Sequence, residues 1–260
     1  MIEVGIAGCL GRMGTAIVEA IGAEPDMHIA CGIDPHPTTK AENQAFPLYE
    51  SIEDAVESQR IDVLVDFTRP SVVEHTLEVA LSHDIDCVVG TTGVSAERLR
   101  EIYEASGTDA CLFFAPNFTI GAVLMMQFAK MSAKYFPEAE VIEMHHCNKL
   151  DAPSGTAVQT TALICEGREG ASSQAPGKET EVEGAEGARG ALINGVPVHS
   201  VRSMGFVADQ EVIFGSLGQT LTITHRSWDR SSYMPGVMLA IRKVQGKSGL
   251  IIGLEHFLDI

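Results

Sequence analysis

The sequence predicts an α/β protein of two domains: a Rossmann-type, doubly wound parallel sheet, plus an α+β domain with a mostly antiparallel sheet. Three observations carry this. Over the first 118 residues, short continuous apolar runs alternate with helical patterns, as in a parallel sheet covered on both faces. The first run passes through a glycine cluster into a helix, the strand-turn-helix unit that holds dinucleotides. Beyond residue 119 the strands alternate polar with apolar residues, as antiparallel strands with one solvated face do.

IEVGIAG (2–8) reads as a buried strand, and MGTAIVEAIGAE (13–24) as a helix with apolar spacing near 3.6 residues. MHIACGID (27–34) is a second strand, SIEDAVES (51–58) a helix and IDVLVDFT (61–68) a third strand. SVVEHTLEVALSHD (71–84) is helical, DCVVGTT (86–92) a fourth strand, SAERLREIYEAS (95–106) a helix and ACLFFAPNF (110–118) a fifth strand. In the second half AVLMMQFAKMSAKYF (122–136) and TAVQTTALICEG (156–167) are helices. VIEMHH, VPVHSVRS, DQEVIFGS and QTLTITHRS read as one antiparallel sheet, and the Gly- and Glu-rich stretch 167–191 as a mobile loop. MPGVMLAIRKV and SGLIIGLEHFL return to a helix and a short strand that pack on the first domain. The expected domains are therefore 1–118 with 229–260, and 119–228.

Composition narrows the function classes. A formal charge of −17, from 35 acidic against 18 basic residues, argues against nucleic acid and anionic membranes as partners. No window reaches the ~18 apolar residues of a membrane span, and the amino terminus lacks the basic start of a signal peptide. The six cysteines stand singly, without paired spacing. They read as buried thiols of a cytoplasmic protein.

The segment GCLGRMG (8–14) has the spacing G-x-x-G-x-x-G. Small residues let the backbone approach a pyrophosphate, and the helix amino end favours its negative charge. Asp34 follows the second strand, where it can accept both hydroxyls of an adenosine ribose. Its carboxylate repels a 2′-phosphate, and Pro35 stands where an arginine would be needed, with His36 and Lys40 as partial compensation. NADH is the expected preference, with NADPH possible. GTTG (90–93) and FAPNF (114–118) bring backbone groups to the edge where nicotinamide belongs. Arg69 either faces the cofactor or is a solvated loop residue.

EMHHCNKLDAPSGTA (143–157) is the most informative block. His145 or His146 can deliver a proton near neutral pH, and Lys149 supplies positive charge. The amides of a helix starting at Ser154-Gly155-Thr156 favour a carboxylate or phosphate. Each feature has a plain structural reading: a packed histidine, a solvated lysine, an N-cap. Their coincidence in one short block points instead to a small polyanionic substrate. His145, His146 and Cys147 are consecutive, so on a strand they point to opposite faces. They also lack the spacer of zinc ligands, and no metal is expected.

These residues, with DFTRP and with ITHRS followed by Arg230, resemble the 4-hydroxy-tetrahydrodipicolinate reductase family (dihydrodipicolinate reductase) nearly end to end. The resemblance implies NAD(P)H-dependent reduction of a cyclic imine bearing two carboxylates, in diaminopimelate and lysine biosynthesis. It implies a nicotinamide domain split around a substrate domain, a homotetramer joined through sheets of that second domain, and closure over the two ligands. By the same resemblance His145 is the proton donor or acceptor, Lys149 the second catalytic cation, and His146, Gly155 and Thr156 substrate contacts. The implied cofactor site is Gly8, Cys9, Leu10, Gly11, Arg12, Met13, Asp34, Gly90, Thr91, Thr92, Ala115, Pro116, Asn117 and Phe118. Many members carry Arg-His where this chain has Cys147-Asn148, and Ala where it has Pro116; the first departure removes positive character near the substrate. Two other readings stay open. One is another two-domain nicotinamide enzyme, such as a semialdehyde or amino-acid dehydrogenase; the semialdehyde type would need a nucleophilic cysteine, for which Cys147 is the candidate, though nothing in the sequence marks it as activated. A non-catalytic NADH sensor would be expected to lack His145 and Lys149.

Overall fold

A computed structural model describes residues 1–35, 45–168 and 184–260. These form two compact units, Met1–Thr119 with Arg230–Ile260, and Ile120–Asp229.

The first unit is built on β1 (Ile2–Ala7), β2 (Met27–Ile33), β3 (Leu48–Tyr49), β4 (Val63–Asp66), β5 (Asp86–Val89), β6 (Cys111–Phe114) and the chain's last strand, β12 (Gly249–Ile252). They make one sheet in the order β12-β6-β5-β4-β1-β2-β3, every pair parallel. Leu64 and Val65 point to opposite faces and are both fully buried, as are Val88 and Val89. Both faces are therefore covered, which is why these strands read as unbroken apolar runs. The helices are α1 (Arg12–Gly22), α2 (Ile52–Ser58), α3 (Pro70–Ser82), α4 (Ala96–Ser106) and, near the end, α7 (Met234–Val244). Ser51 and Ser95 cap α2 and α4, accepting hydrogen bonds from the amides of Asp54 (3.2 Å) and Arg98 (3.1 Å). Pro70 begins α3, where its missing N–H costs nothing. Because β1 lies between β2 and β4, strand order reverses at β1. The crevice at the carboxyl ends of β1 and β4 is thus the switch point where such sheets take ligands.

The second unit holds α5 (Ile120–Ala133), β7 (Glu138–His145), α6 (Gly155–Arg168), β8 (Ala191–Ile193), β9 (Val196–Arg202), β10 (Ala208–Ser216) and β11 (Gln219–Ser227). Its sheet runs β11-β10-β7-β9-β8. Val141, Val198, Val212 and Phe214 share one buried face, and α5 and α6 pack on this sheet. The sheet is mixed rather than wholly antiparallel, because β7 and β9 pair in parallel. The excursion through α6 between them returns the chain in the same direction, as a crossover does. Two further expectations need correction. Of the stretch 167–191 expected as a mobile loop, Gly167 and Arg168 belong to α6 and Ala191 begins β8, and residues 169–183 lie outside the described ones. All six cysteines are free, but only Cys9, Cys31, Cys87 and Cys111 are buried. Cys147 is exposed in the turn after β7, and Cys165 on the open side of α6.

Candidate active site

In the second unit the site begins where β7 ends. Period-two alternation puts Val141, Glu143 and His145 on one face. The sheet continues over Glu143, which is fully buried, while His145 at the strand end keeps 14% of its side chain exposed. The Nδ1 of His145 lies 2.5 Å from Oε2 of Glu143. Arg202, at the end of β9 and directly across from His145 in the register, donates to both oxygens of Glu143 at 2.8 Å. Burial alone would push the Glu143 carboxyl up, but hydrogen bonds from Arg202, Ser200 and His145 hold it below the ordinary carboxylate value. For His145, burial is the largest influence and lowers its pKa; Lys149 and Arg202 add to that, and Glu143 only partly offsets it.

Past the strand the chain turns tightly. The amide of Lys149 donates to the carbonyl of His146 (3.1 Å), and its ammonium to Asp151 (2.8 Å). Arg202 also donates to the Asp151 carbonyl at 2.8 Å, tying this loop to β9. A cis peptide joins Ala152 and Pro153, and Ser154 then caps α6, its Oγ accepting from the Ala157 amide (3.2 Å). Gly155 is exposed and Thr156 half-buried in the first turn, where amide N–H groups lie ahead of the helical ladder. One block therefore unites a braced imidazole, an ammonium and a helix amino end. His146 lies one residue beyond the strand and is exposed. Sequence reasoning missed Glu143, Arg202 and Asp151 as members of this network.

In the first unit the fourteen residues expected at the cofactor lie around the carboxyl edge of the sheet. Gly8 has φ +74° and its amide donates to Ile33 (2.8 Å), opening the turn into α1. A Cβ on Gly14 would lie 2.1 Å from the Gly8 carbonyl oxygen, so the turn closes only with glycine there. Gly11 is the N-cap of α1 with no side chain to occupy its amide end. Leu10 and Met13 are half-buried and Arg12 exposed. Cys9 is turned inward, its thiol pushed up to about 11 by burial and by the nearby Asp34 carboxylate, so it can offer a ligand only main-chain atoms. Asp34 follows β2, half-buried, its amide bonded to the Tyr49 carbonyl (2.9 Å). His36 and Lys40 lie outside the described residues.

Asp66, unnoticed as a site member, organises the neighbouring loops. It is fully buried, and its Oδ1 accepts from the amide and hydroxyl of Thr68 (3.0 and 2.8 Å) and from the hydroxyl of Thr91 (2.7 Å). Burial pushes its pKa up against these three bonds. The ring of Phe67 lies where a side chain on Gly90 would go. Thr92 and Pro116 are exposed and Asn117 half-buried, whereas Ala115 and Phe118 are buried, Phe118 packing on Phe67 with ring centroids 5.2 Å apart. Among the described residues no group of three or more His, Cys, Asp or Glu could hold a metal ion. No described helix is long and apolar enough to cross a membrane.

Comparison with known proteins agrees with this layout. The family model described as dihydrodipicolinate reductase, N-terminus, matches residues 2–118, and that described as its C-terminus matches residues 121–258. The 4-hydroxy-tetrahydrodipicolinate reductase of Mycolicibacterium vanbaalenii is 45% identical over 261 residues, covering 100% of both chains. That of Listeria welshimeri is 46% identical over 268 residues, covering 99% of this chain and 100% of its own. A dipicolinate-bound dihydrodipicolinate reductase from Paenisporosarcina sp. TG-14 superposes with a TM-score of 0.88 at 38% identity, covering 99% of this chain and 100% of its own. Matched in both halves, and along their whole length by relatives this similar, the chain belongs to the dihydrodipicolinate reductase family.

Proposed function

We propose that this chain reduces 4-hydroxy-tetrahydrodipicolinate to tetrahydrodipicolinate with a reduced nicotinamide cofactor, in diaminopimelate and lysine biosynthesis. The observation that carries the proposal is the block in which His145, braced by Glu143, is followed by Lys149 and the amino end of α6. Such a constellation suits a dicarboxylate that must also exchange a proton. The carboxyl edge of the first unit suits a dinucleotide, since glycine at 8, 11 and 14 leaves the backbone bare at those positions and no side chain caps α1. Residues 8–13, Asp34, 90–92 and 115–118 would hold it, and when bound it supplies hydride.

The chain's own residues do the rest. Lys149 and the amides at the start of α6 clamp carboxylate through charge-assisted bonds of roughly 1.5–3 kcal/mol each. His146, Gly155 and Thr156 line the same end as substrate contacts. Loss of the 4-hydroxyl as water leaves a conjugated imine, and His145 delivers the proton that this ring needs once reduced, through Nε2, because Nδ1 faces Glu143. The first test is cofactor oxidation with substrate formed in situ from pyruvate and aspartate semialdehyde. No oxidation by protein that binds NADH would reject the proposal.

The free His145 titrates below its ordinary value, so it is neutral near pH 7 and must gain a proton to act as an acid. A bound dicarboxylate raises that pKa by its charge. Binding of dipicolinate is therefore expected to take up protons, and its affinity to fall as pH rises from the free pKa toward that of the complex. Calorimetry in buffers of different ionisation enthalpy measures the uptake; a heat independent of buffer would contradict it.

Asp34 supports NADH over NADPH, its carboxylate opposing a 2′-phosphate. The kcat/KM ratio is expected to favour NADH, and an advantage of about tenfold for NADPH would overturn the assignment. The face of the second sheet that carries Thr220, Thr222 and Thr224 is open on β11, and Ile142, Met144 and Ile213 lie on the same side. We assign this face to assembly of a homotetramer, and a monomeric mass by light scattering would exclude it. Free thiols, four of them buried, fit a reducing compartment, and we place the enzyme in the cytoplasm.

A further inference from the structure

We propose that Glu143 and Arg202 are positioning residues that hold His145 in a single tautomer, with Nδ1–H on Glu143 and Nε2 left for proton exchange. The proposal rests on the reading of His145 as the proton-transfer residue, and deepens it.

Four observations carry it. Glu143 is two residues before His145 on the same strand face, and its Oε2 meets Nδ1. It is fully buried, and a carboxylate there adds little to stability, since apolar residues fill such positions as well or better. Arg202 is spent on local contacts: two bonds to Glu143 and one each to the carbonyls of Val201 and Asp151, all at 2.8 Å. Asp151 in turn receives the ammonium of Lys149 at 2.8 Å. One chain of contacts thus runs from His145 through Glu143, Arg202 and Asp151 to Lys149, linking the two candidate catalytic groups.

The chemistry follows from the inventory of donors. A neutral imidazole has one N–H and one bare nitrogen, and the partner of the first decides which nitrogen is free. Glu143 is held ionised by the Arg202 fork, so it can only accept, and Nδ1 must donate. Nε2 then carries the exchangeable proton. The fork also fixes Glu143 itself, because both oxygens are engaged in a planar geometry that lysine cannot reproduce. The charges acting on His145 include Lys149 and Arg202, which oppose the imidazolium, and the carboxylates of Glu143 and Asp151, which favour it, Glu143 through a direct hydrogen bond.

The test compares wild type with Glu143→Gln and Arg202→Lys, using protein labelled with 15N in the histidine rings. In wild type above the His145 pKa, Nδ1–H is expected to dominate. Glu143→Gln can present either an acceptor or a donor, so the tautomers should mix and the His145 pKa should fall. Its kcat should drop about 10²-fold with KM within about threefold, as for an orienting group rather than a binding one. The kcat–pH profile should lose its alkaline side earlier. Arg202→Lys keeps a charge but not the fork; kcat should fall about tenfold while the Nδ1–H form persists. Should Glu143→Gln fail to melt cooperatively, Arg202→Lys decides, and a kcat within about threefold of wild type then overturns the proposal. An unchanged tautomer ratio in folded Glu143→Gln overturns it equally. Absence of reductase turnover in wild type would strike at the proposed function alone, because the ring-nitrogen measurement needs no substrate.

Discussion

Replacing His145 with glutamine is expected to lower kcat by about 10²–10⁴-fold, the usual contribution of a positioned acid or base. In barrier height this is about 3–5 kcal/mol. Glutamine is the informative choice because its amide can still reach Glu143, so the buried carboxylate keeps a partner and the strand end keeps its packing. What it cannot do is carry a proton between solvent and ligand. KM for the dicarboxylate should change much less, since Lys149 and the amino end of α6 remain in place. Steady-state oxidation of the reduced cofactor measures both constants. A loss of less than about threefold in kcat would remove His145 from proton transfer. The proton uptake expected on dipicolinate binding should vanish in the same variant, which separates loss of the titrating group from a general disturbance of the site.

Much of the architecture was legible in the sequence because it is local. The strands of the first unit are buried on both faces and so read as continuous apolar runs, and each helix follows its strand at short range. β3 escaped notice because two residues, Leu48 and Tyr49, carry no period. β8 is almost as short, yet a signal stood beside it. Asn194-Gly195 takes positive φ at both residues (50° and 75°) between Ile193 and Val196, the turn of a two-residue hairpin. The parallel pairing of β7 with β9 depends on the crossover through α6, which alternation within a strand does not record.

The site divides in the same way. His145, Lys149 and Ser154 fall in one block and could be read together. Glu143 stands in that block too, and period-two spacing places it on the histidine's face; its burial was what no local pattern showed. Arg202 is 59 residues from Glu143, at the end of a strand in which nothing marks it. Asp66 was read only as a strand end, although its bonds to Thr68 and to Thr91, 25 residues further along the chain, join the loops after β4 and β5. Polar groups recruited across strands are visible only once the register is known.

Gly14→Ala should damage cofactor binding most directly. The added methyl would meet the Gly8 carbonyl oxygen at 2.1 Å and the Cys9 Cα at 2.6 Å. Both obstacles are backbone, so relief requires the 8–14 turn to move rather than a side chain to rotate. Overpacking of this kind costs about 1–3 kcal/mol. The segment forced to move is the one we propose for the pyrophosphate, so on that reading the cost falls on the binding-ready conformation. Affinity for NADH should weaken about 5- to 150-fold, with a lower melting temperature. Gly22→Ala provides the control within the same helix. A Cβ there meets nothing within 4 Å, and alanine removes the entropic penalty of glycine in a helix, worth up to about 1 kcal/mol. That variant should bind NADH as wild type does and melt at the same temperature or higher. Titration calorimetry on the two variants separates the effects. Wild-type affinity in Gly14→Ala would mean that the turn does not bear on the dinucleotide, and the cofactor would have to be sought elsewhere on the sheet edge.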